Sequence, residues 1–358
     1  MNLQQFGGAG LLLLFLADIF LTVLYARAGT GLLAPLWNRA IWALVRAIAR
    51  PFDRARAKVL TFGGPLIIVS LIAFWSLGLT IGAALMIQPE LGTSIRPSSG
   101  DTPTDFVTAM LVAGNSLSIV GGGDYSPDTT GTRLLYLFNS LVGASVLSLV
   151  LSYLVQVYSA LQERNALALA IDLMTARTGD AAEMLARLGP KGDFSDATSA
   201  LDNLVRSLTQ VKEAHHFYPL LFYFRFDDPV YAVSRFSFLL LDLSTLIDTA
   251  LDREQGGTLQ RSAAVVAVRE CAQLLIQTLD RNFQTNDDTW GEDAANREES
   301  FARAVARLQR EGIKVEPNSR AYAEQRSRWE PLVRRVAPSL GYGMADIDRR
   351  SASRAERA

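Results

Sequence analysis

The sequence predicts an all-α membrane protein. It would have three membrane-spanning helices, a short re-entrant helix with a glycine-rich loop, and a helical soluble region after them. Three observations carry this. Long apolar runs are confined to residues 1–161, with 29 uncharged residues from Val59 to Ile87 and 28 from Leu134 to Leu161. Each is long enough to cross a bilayer. Charge gathers in 162–358, which holds 26 Lys and Arg against 29 Asp and Glu, a net of −3. Between the two uncharged runs stands Ser118-Ile119-Val120-Gly121-Gly122-Gly123-Asp124, with Tyr125-Ser126-Pro127 behind it. The chain of 358 residues is 49% hydrophobic with net charge −1, so no basic excess points to nucleic acid. One cysteine, Cys271, excludes an intrachain disulfide.

The first span is read at residues 9–26. A cleaved signal peptide is the alternative, but Met1 to Gly10 lacks the basic residues such a leader carries, which favours a retained helix. Asp18 interrupts the span and must face protein, because a charge in lipid is costly. It is either a proton or cation relay or a hydrogen-bonded helix contact, and the contact is favoured. Residues 27–58 carry seven basic residues (Arg27, Arg39, Arg46, Arg50, Arg54, Arg56, Lys58) against Asp53. This excess places the loop in the cytoplasm and the N-terminus outside. Within it Leu36–Arg50 is amphipathic, with Arg39, Arg46 and Arg50 on one face and Trp37, Ile41, Leu44, Val45 and Ile48 around the rest. Such a helix lies in the membrane interface, and segment 36–58 is expected to meet membrane lipids. A soluble helix packed on the C-terminal region is the other reading.

The second span is Val59–Ile87. Gly63-Gly64-Pro65 bends or delays its start, and Gly78 and Gly82 let another helix approach. Gln88–Thr102 is an external loop. From there to Thr132, Glu90, Asp101, Asp105, Asp124 and Asp128 face one base, Arg96. An acidic mouth raises the local cation concentration. Thr102-Pro103-Thr104-Asp105 reads as a helix start, with Thr102 as N-cap and Pro103 at the first helical position. The helix runs to about Leu117, too short to span. In the last span Ser145, Ser148, Ser152 and Gln156 recur at helical spacing and are candidate pore-lining residues. Tyr158 would sit at the inner interface.

The order of apolar span, short helix, glycine loop, Gly-Asp, Ser-Pro and apolar span resembles the pore region of the potassium channel superfamily over roughly residues 60–160. That family's filter reads Thr-Val-Gly-Tyr-Gly. Ile119 takes the place of the Thr and Gly122 that of the Tyr, while Val120, Gly121, Gly123 and Asp124 match. The chain as a whole is similar to bacterial channel-like proteins with one extra N-terminal span and a His-His-Phe-Tyr-Pro stretch, here His215 to Pro219. The resemblance implies an ion-selectivity filter at Ser118, Ile119, Val120, Gly121, Gly122, Gly123 and Asp124, whose backbone carbonyls take a permeant K+ or other monovalent cation. It implies a homotetramer, since one re-entrant loop cannot close a ring. A glycine near Gly143, 22 residues after Gly121, lets the inner helix bend in that family; Gly143 is therefore a gating-hinge candidate, with close helix packing as the equal alternative. The departures at Ile119 and Gly122 imply weakened potassium selectivity. They also leave open a non-conducting membrane sensor or scaffold that keeps the pore fold to oligomerise.

The domains read as 1–58, 59–161 (the pore domain), 162–340 (a cytoplasmic helical domain) and 341–358 (a disordered tail). Helices are expected at 162–177, 180–188, 196–214, 229–253, 258–284, 294–312 and 319–336, punctuated by Gly189-Pro190, Gly256-Gly257 and Asn286-Asp287-Asp288. No strand-anchored GxGxxG indicates a nucleotide-binding domain. His215 and His216, adjacent and set among aromatics, fit a packed junction better than a metal pair or a pH sensor. No catalytic constellation stands out, so the chain is not read as an enzyme, and no metal or other cofactor is expected. The cytoplasmic region leaves room for an unidentified ligand or protein partner. The charge pattern and spans point to a bacterial-type inner (plasma) membrane, crossed several times.

Overall fold

The computed structural model describes residues 2–25, 31–52, 55–118, 121, 124–283 and 294–348. Nearly all of them are helical, and they group into two compact units. One comprises Met1–Ala47 with Gly63–Tyr158, the other Ile48–Phe62 with Ser159–Ala358. Three helical stretches are long and apolar enough to cross a membrane: Leu3–Leu24, Arg56–Glu90 and Thr130–Met174.

In the first unit α1 (Leu3–Ile19) starts six residues earlier than expected, because Asn2 and Gln5 form a capping box that satisfies its first amides. A π-helical turn, Phe20–Leu24, continues it. The amphipathic helix is α2 (Ala34–Ala49). Trp37 does not face lipid: its ring stacks on Phe74 at 4.3 Å and its Nε1 donates to Ser70 Oγ at 3.1 Å. α4 (Gly63–Ile87) starts at the glycine pair, following Phe62 and α3 (Arg56–Thr61), which belongs to the second unit. Gly78 lies under the Phe15 ring, and Gly82 lies against Leu12 and the Gly8 carbonyl. The small-residue pair therefore admits α1. α5 (Phe106–Leu117) is a short apolar helix at the place where the re-entrant helix is expected. Its N-cap is Asp105 rather than Thr102, and Pro103 precedes the helix. The Asp105 carboxylate accepts from the Val107 and Thr108 amides at 2.9 and 3.0 Å and from the Thr108 hydroxyl at 2.7 Å. Three donors at once hold the cap there.

Two short strands were not foreseen. β1 (Ile95–Pro97) and β2 (Tyr125–Pro127) pair antiparallel, with Ile95 opposite Pro127, Arg96 opposite Ser126 and Pro97 opposite Tyr125. The Ser98 amide donates to the Asp124 carbonyl, and the Asp128 amide to the Ser94 carbonyl, each at 2.9 Å. This clip joins the two ends of the re-entrant segment.

α6 (Thr130–Met174) is one helix of 45 residues, so the last span and the helix expected at 162–177 are continuous. In the second unit α7 (Ala181–Leu188), α11 (Ala263–Phe283) and α13 (Ser319–Ser339) pack on α9 (Val233–Ala250), α8 (Ala197–Phe217) packs on α11, and α12 (Ala294–Arg310) packs on α7 and α13. Seventeen of the 18 residues of α9 are buried, Arg235 and Asp242 among them, and both charges have partners: Arg235 pairs with Asp172 at 2.8 Å and Asp242 accepts from the Tyr322 hydroxyl at 2.6 Å. The helix expected at 258–284 is two, α10 (Arg253–Gln260) and α11, bent by 59°. The Asp252 carboxylate caps α10. The tail reading needs correction. Gly341 to Asp348 is folded, with α14 (Met344–Ile347), Tyr342 and Ile347 buried, and Asp348 paired to Arg326 at 2.8 Å. Residues 349–358 lie outside the described set.

Candidate functional site

The site begins with local chemistry at the end of α5. Its last turn closes through the Ser118 amide, which donates to the Gly114 carbonyl at 2.9 Å. Ser118 then turns extended, at φ −73° and ψ 141°. Gly121 has φ +67°, a left-handed conformation that glycine adopts freely. Ser118, Gly121 and Asp124 are all exposed, and no atom lies within 4 Å of where a Cβ on Gly121 would stand. Ile119, Val120, Gly122 and Gly123 lie outside the described residues. The carbonyl ends of α5, which carry partial negative charge, lead directly into this loop.

The buried face of α5 (Ala109, Val112, Ala113, Ser116) packs inside the unit, while Val107 and Leu111 are exposed. Asn139 of α6, fully buried, donates to Ser116 Oγ at 3.0 Å and ties the two helices together. A lone amide in an uncharged run has to find such a partner, a signal the sequence carried. Beside the loop is a cavity of about 370 Å³ bounded by Asn115, Ser118, Gly121, Tyr136 and Ser140. Gly143 meets the carbonyl of Leu117 so closely that a Cβ would overlap its oxygen. α6 continues unbroken through that position. The packing explanation of Gly143 thus has a direct structural cause.

Ser145, Ser148, Ser152 and Gln156 are exposed along one side of α6, opposite buried Val142, Val150, Tyr153 and Val157. Among the described residues of a single chain this polar stripe is left uncovered. Asp18 is fully buried. Its Oδ1 accepts from the Leu33 and Ala34 amides at 2.7 and 3.3 Å, and its Oδ2 from Trp75 Nε1 at 2.8 Å. It is the hydrogen-bonded contact of the two readings, holding the start of α2 against α4.

In the second unit His215 and His216 diverge. The ring of His215 is buried, sits 4.8 Å from Phe222, and bonds the Val211 carbonyl through Nδ1 at 2.7 Å. Loss of solvation, with the nearby Arg164 charge, pushes its pKa down to about 3, so it stays neutral across the physiological range. Sequence reasoning missed two buried arginines in the same region. Arg164 donates to the Leu221 and Phe224 carbonyls at 3.0 and 3.1 Å. Arg225 donates to Ala57 and Gly341 carbonyls at 2.7 and 3.3 Å. Among the described residues no cluster of three His, Cys, Asp or Glu side chains is placed to hold a metal ion.

Comparison with known proteins adds three findings. Residues 66–160 match a family model described as ion channel, a segment that takes in most of α4, all of α5, the glycine loop and α6 as far as residue 160. The chain is 22% identical over 218 residues to a Bacillus subtilis (strain 168) protein described as uncharacterized membrane protein YdjJ, covering 60% of this chain and 62% of that protein. The chain thus spans less than two thirds of the relative's length. No solved structure matches it.

Proposed function

We propose that this chain, which carries an ion-channel segment at residues 66–160, is one subunit of a tetrameric, potassium-channel-like cation channel. The observation that supports it best is the clipped re-entrant element. A 12-residue helix, too short to cross, ends in a glycine loop between two spans, and β1 and β2 tie its ends. Irregular backbone at membrane depth is tolerated where it lines a water-filled path. Four such loops around an axis would place carbonyl rings from Ser118–Asp124 around a monovalent cation. The exposed Ser145, Ser148 and Ser152 stripe would line the path below. Val107 and Leu111 would face the neighbouring subunit.

In this reading selectivity for potassium is weakened. Ile119 lacks the hydroxyl of the matching Thr, and Gly122 lacks the ring of the matching Tyr. Three consecutive glycines also have more entropy to lose on ordering. The basic excess in 27–58 puts that loop and the C-terminal unit in the cytoplasm and the N-terminus outside, in a bacterial-type inner membrane. Arg39 and Arg50, with exposed Leu36, Leu44, Ile48 and Phe52, suit the anionic lipid surface there. The chain performs no catalysis in this account.

The test is purified protein in a planar bilayer, with potassium on one side and sodium on the other. Single-channel steps reversing between zero and the potassium potential are expected. The two filter departures favour a second reading, a non-conducting scaffold. Silence from the wild type and from the chain carrying both Ile119→Thr and Gly122→Tyr would support that reading and overturn the channel.

A further inference from the structure

The turn Leu221–Arg225 joins three separate stretches of the second unit through two arginines. On one side Arg164, near the end of α6, holds the carbonyls of Leu221 and Phe224. On the other, Arg225 holds the carbonyl of Ala57, in the first turn of α3, and that of Gly341. Neither arginine pairs with a carboxylate among the described residues. Apart from a 3.5 Å contact of Arg164 with Asn165 Oδ1, their hydrogen bonds go to main-chain carbonyls, which fixes the backbone itself. Tyr342 completes the joint. Its ring lies under the Arg225 guanidinium at 4.6 Å, and its hydroxyl donates to the Phe226 carbonyl at 3.0 Å and accepts from the Phe226 amide at 3.2 Å. Gly341, at φ +76°, lies flat against Leu60. Asp348 anchors the far end on Arg326.

We propose that Gly341–Asp348 is a regulatory latch. Through Arg225 it holds residues 56–62, the foot of the second span, and drawing it away frees that foot and changes how often the pore opens. The stretch is eight residues long, its one helix is the four-residue α14, and it is held at two ends, Tyr342 on Phe226 and Arg225 and Asp348 on Arg326, so losing one end loosens it before the longer helices of the core open. Its gating consequence rests on the channel reading above; the latch itself does not.

The experiment uses the full chain in bilayers of phosphatidylethanolamine with phosphatidylglycerol. It compares the wild type with Tyr342→Phe, Arg225→Ala and, as control, Arg328→Ala, whose ion pair with Glu324 is exposed. Amide hydrogen exchange at residues 57–62 should quicken by about tenfold in Tyr342→Phe and by more in Arg225→Ala, with no change in the control. Where current is recorded, open probability should shift several-fold at an unchanged reversal potential. If exchange quickens at 341–348 while 57–62 keeps its wild-type rate, the latch is wrong. Unchanged exchange at both places in Tyr342→Phe and Arg225→Ala overturns it equally. A wild type without current defeats the channel reading alone, because the exchange comparison still decides the latch.

Discussion

Oδ2 of Asp18 accepts a 2.8 Å hydrogen bond from Trp75 Nε1, across 57 residues of sequence, while Oδ1 caps the start of α2. One carboxylate therefore fastens three helices of the first unit. Removing it leaves an indole N–H and two amides buried without an acceptor. Asp18→Ala should cost about 3–5 kcal/mol, seen as a lower thermal midpoint in detergent. Asp18→Asn should cost less, since one amide oxygen still accepts. A relay would behave differently: both variants would fold normally and lose a pH-dependent component of the current.

Gly143 separates hinge from packing in a similar way. The Leu117 carbonyl occupies the space a Cβ would need, and that carbonyl is the last one before the loop. Gly143→Ala should push the end of α5 away, costing about 1–3 kcal/mol of thermal stability and disturbing ion selectivity. A hinge without a packing role predicts wild-type stability and a channel that opens less often.

The spans were legible because a bilayer demands about 20 apolar residues in a row, and Val59–Ile87 and Leu134–Leu161 supply them. The short helix before the glycine loop was legible too, although its start was misplaced. Thr102 and Asp105 are both good caps, and the choice between them depends on the Thr108 hydroxyl one turn later. The β1–β2 clip left no periodic signal, since three-residue strands are too short to show one and loop closure sets their pairing. Gly341–Asp348 read as a tail from its small and charged residues. What folds it is Tyr342 under Arg225 and Asp348 on Arg326, contacts with residues far away in sequence.

His215 sets a pH dependence of stability with a definite sign. Its folded-state pKa is depressed to about 3, against roughly 6.5 in the unfolded chain. Between those values the unfolded chain binds the extra proton, so the neutral histidine's contribution is present above pH 6.5 and is lost as pH falls. From pH 6.5 to 5 the loss should approach about 2 kcal/mol. His215→Phe should flatten the fall in thermal midpoint over that interval. An equal slope in both proteins would move the origin of the pH dependence elsewhere.

The filter departures lead to a substitution with a signed outcome. Ile119→Thr restores a hydroxyl, and Gly122→Tyr restores a ring and replaces one of three consecutive glycines. Together they should sharpen permeability for potassium over sodium, read as a reversal potential moving toward the potassium value. An unchanged permeability ratio would separate these two positions from selectivity.

The serine stripe tests where the ions go below the filter. Ser145, Ser148 and Ser152 recur at three- and four-residue intervals, so they share one side of α6, and all three are exposed. Leu147 is also exposed, but it bounds the apolar space between α4 and α6. Exposure therefore does not tell a pore face from a lipid face, whereas water access does. In a Cys271→Ser background, a charged thiol reagent applied from the cytoplasmic side should reduce current several-fold in Ser148→Cys and Ser152→Cys. It should leave Leu147→Cys unaffected, because a charged reagent does not partition into hydrocarbon. Modification at Leu147 without modification at Ser148 would turn α6 by about 100° from the orientation that four copies around a shared axis require.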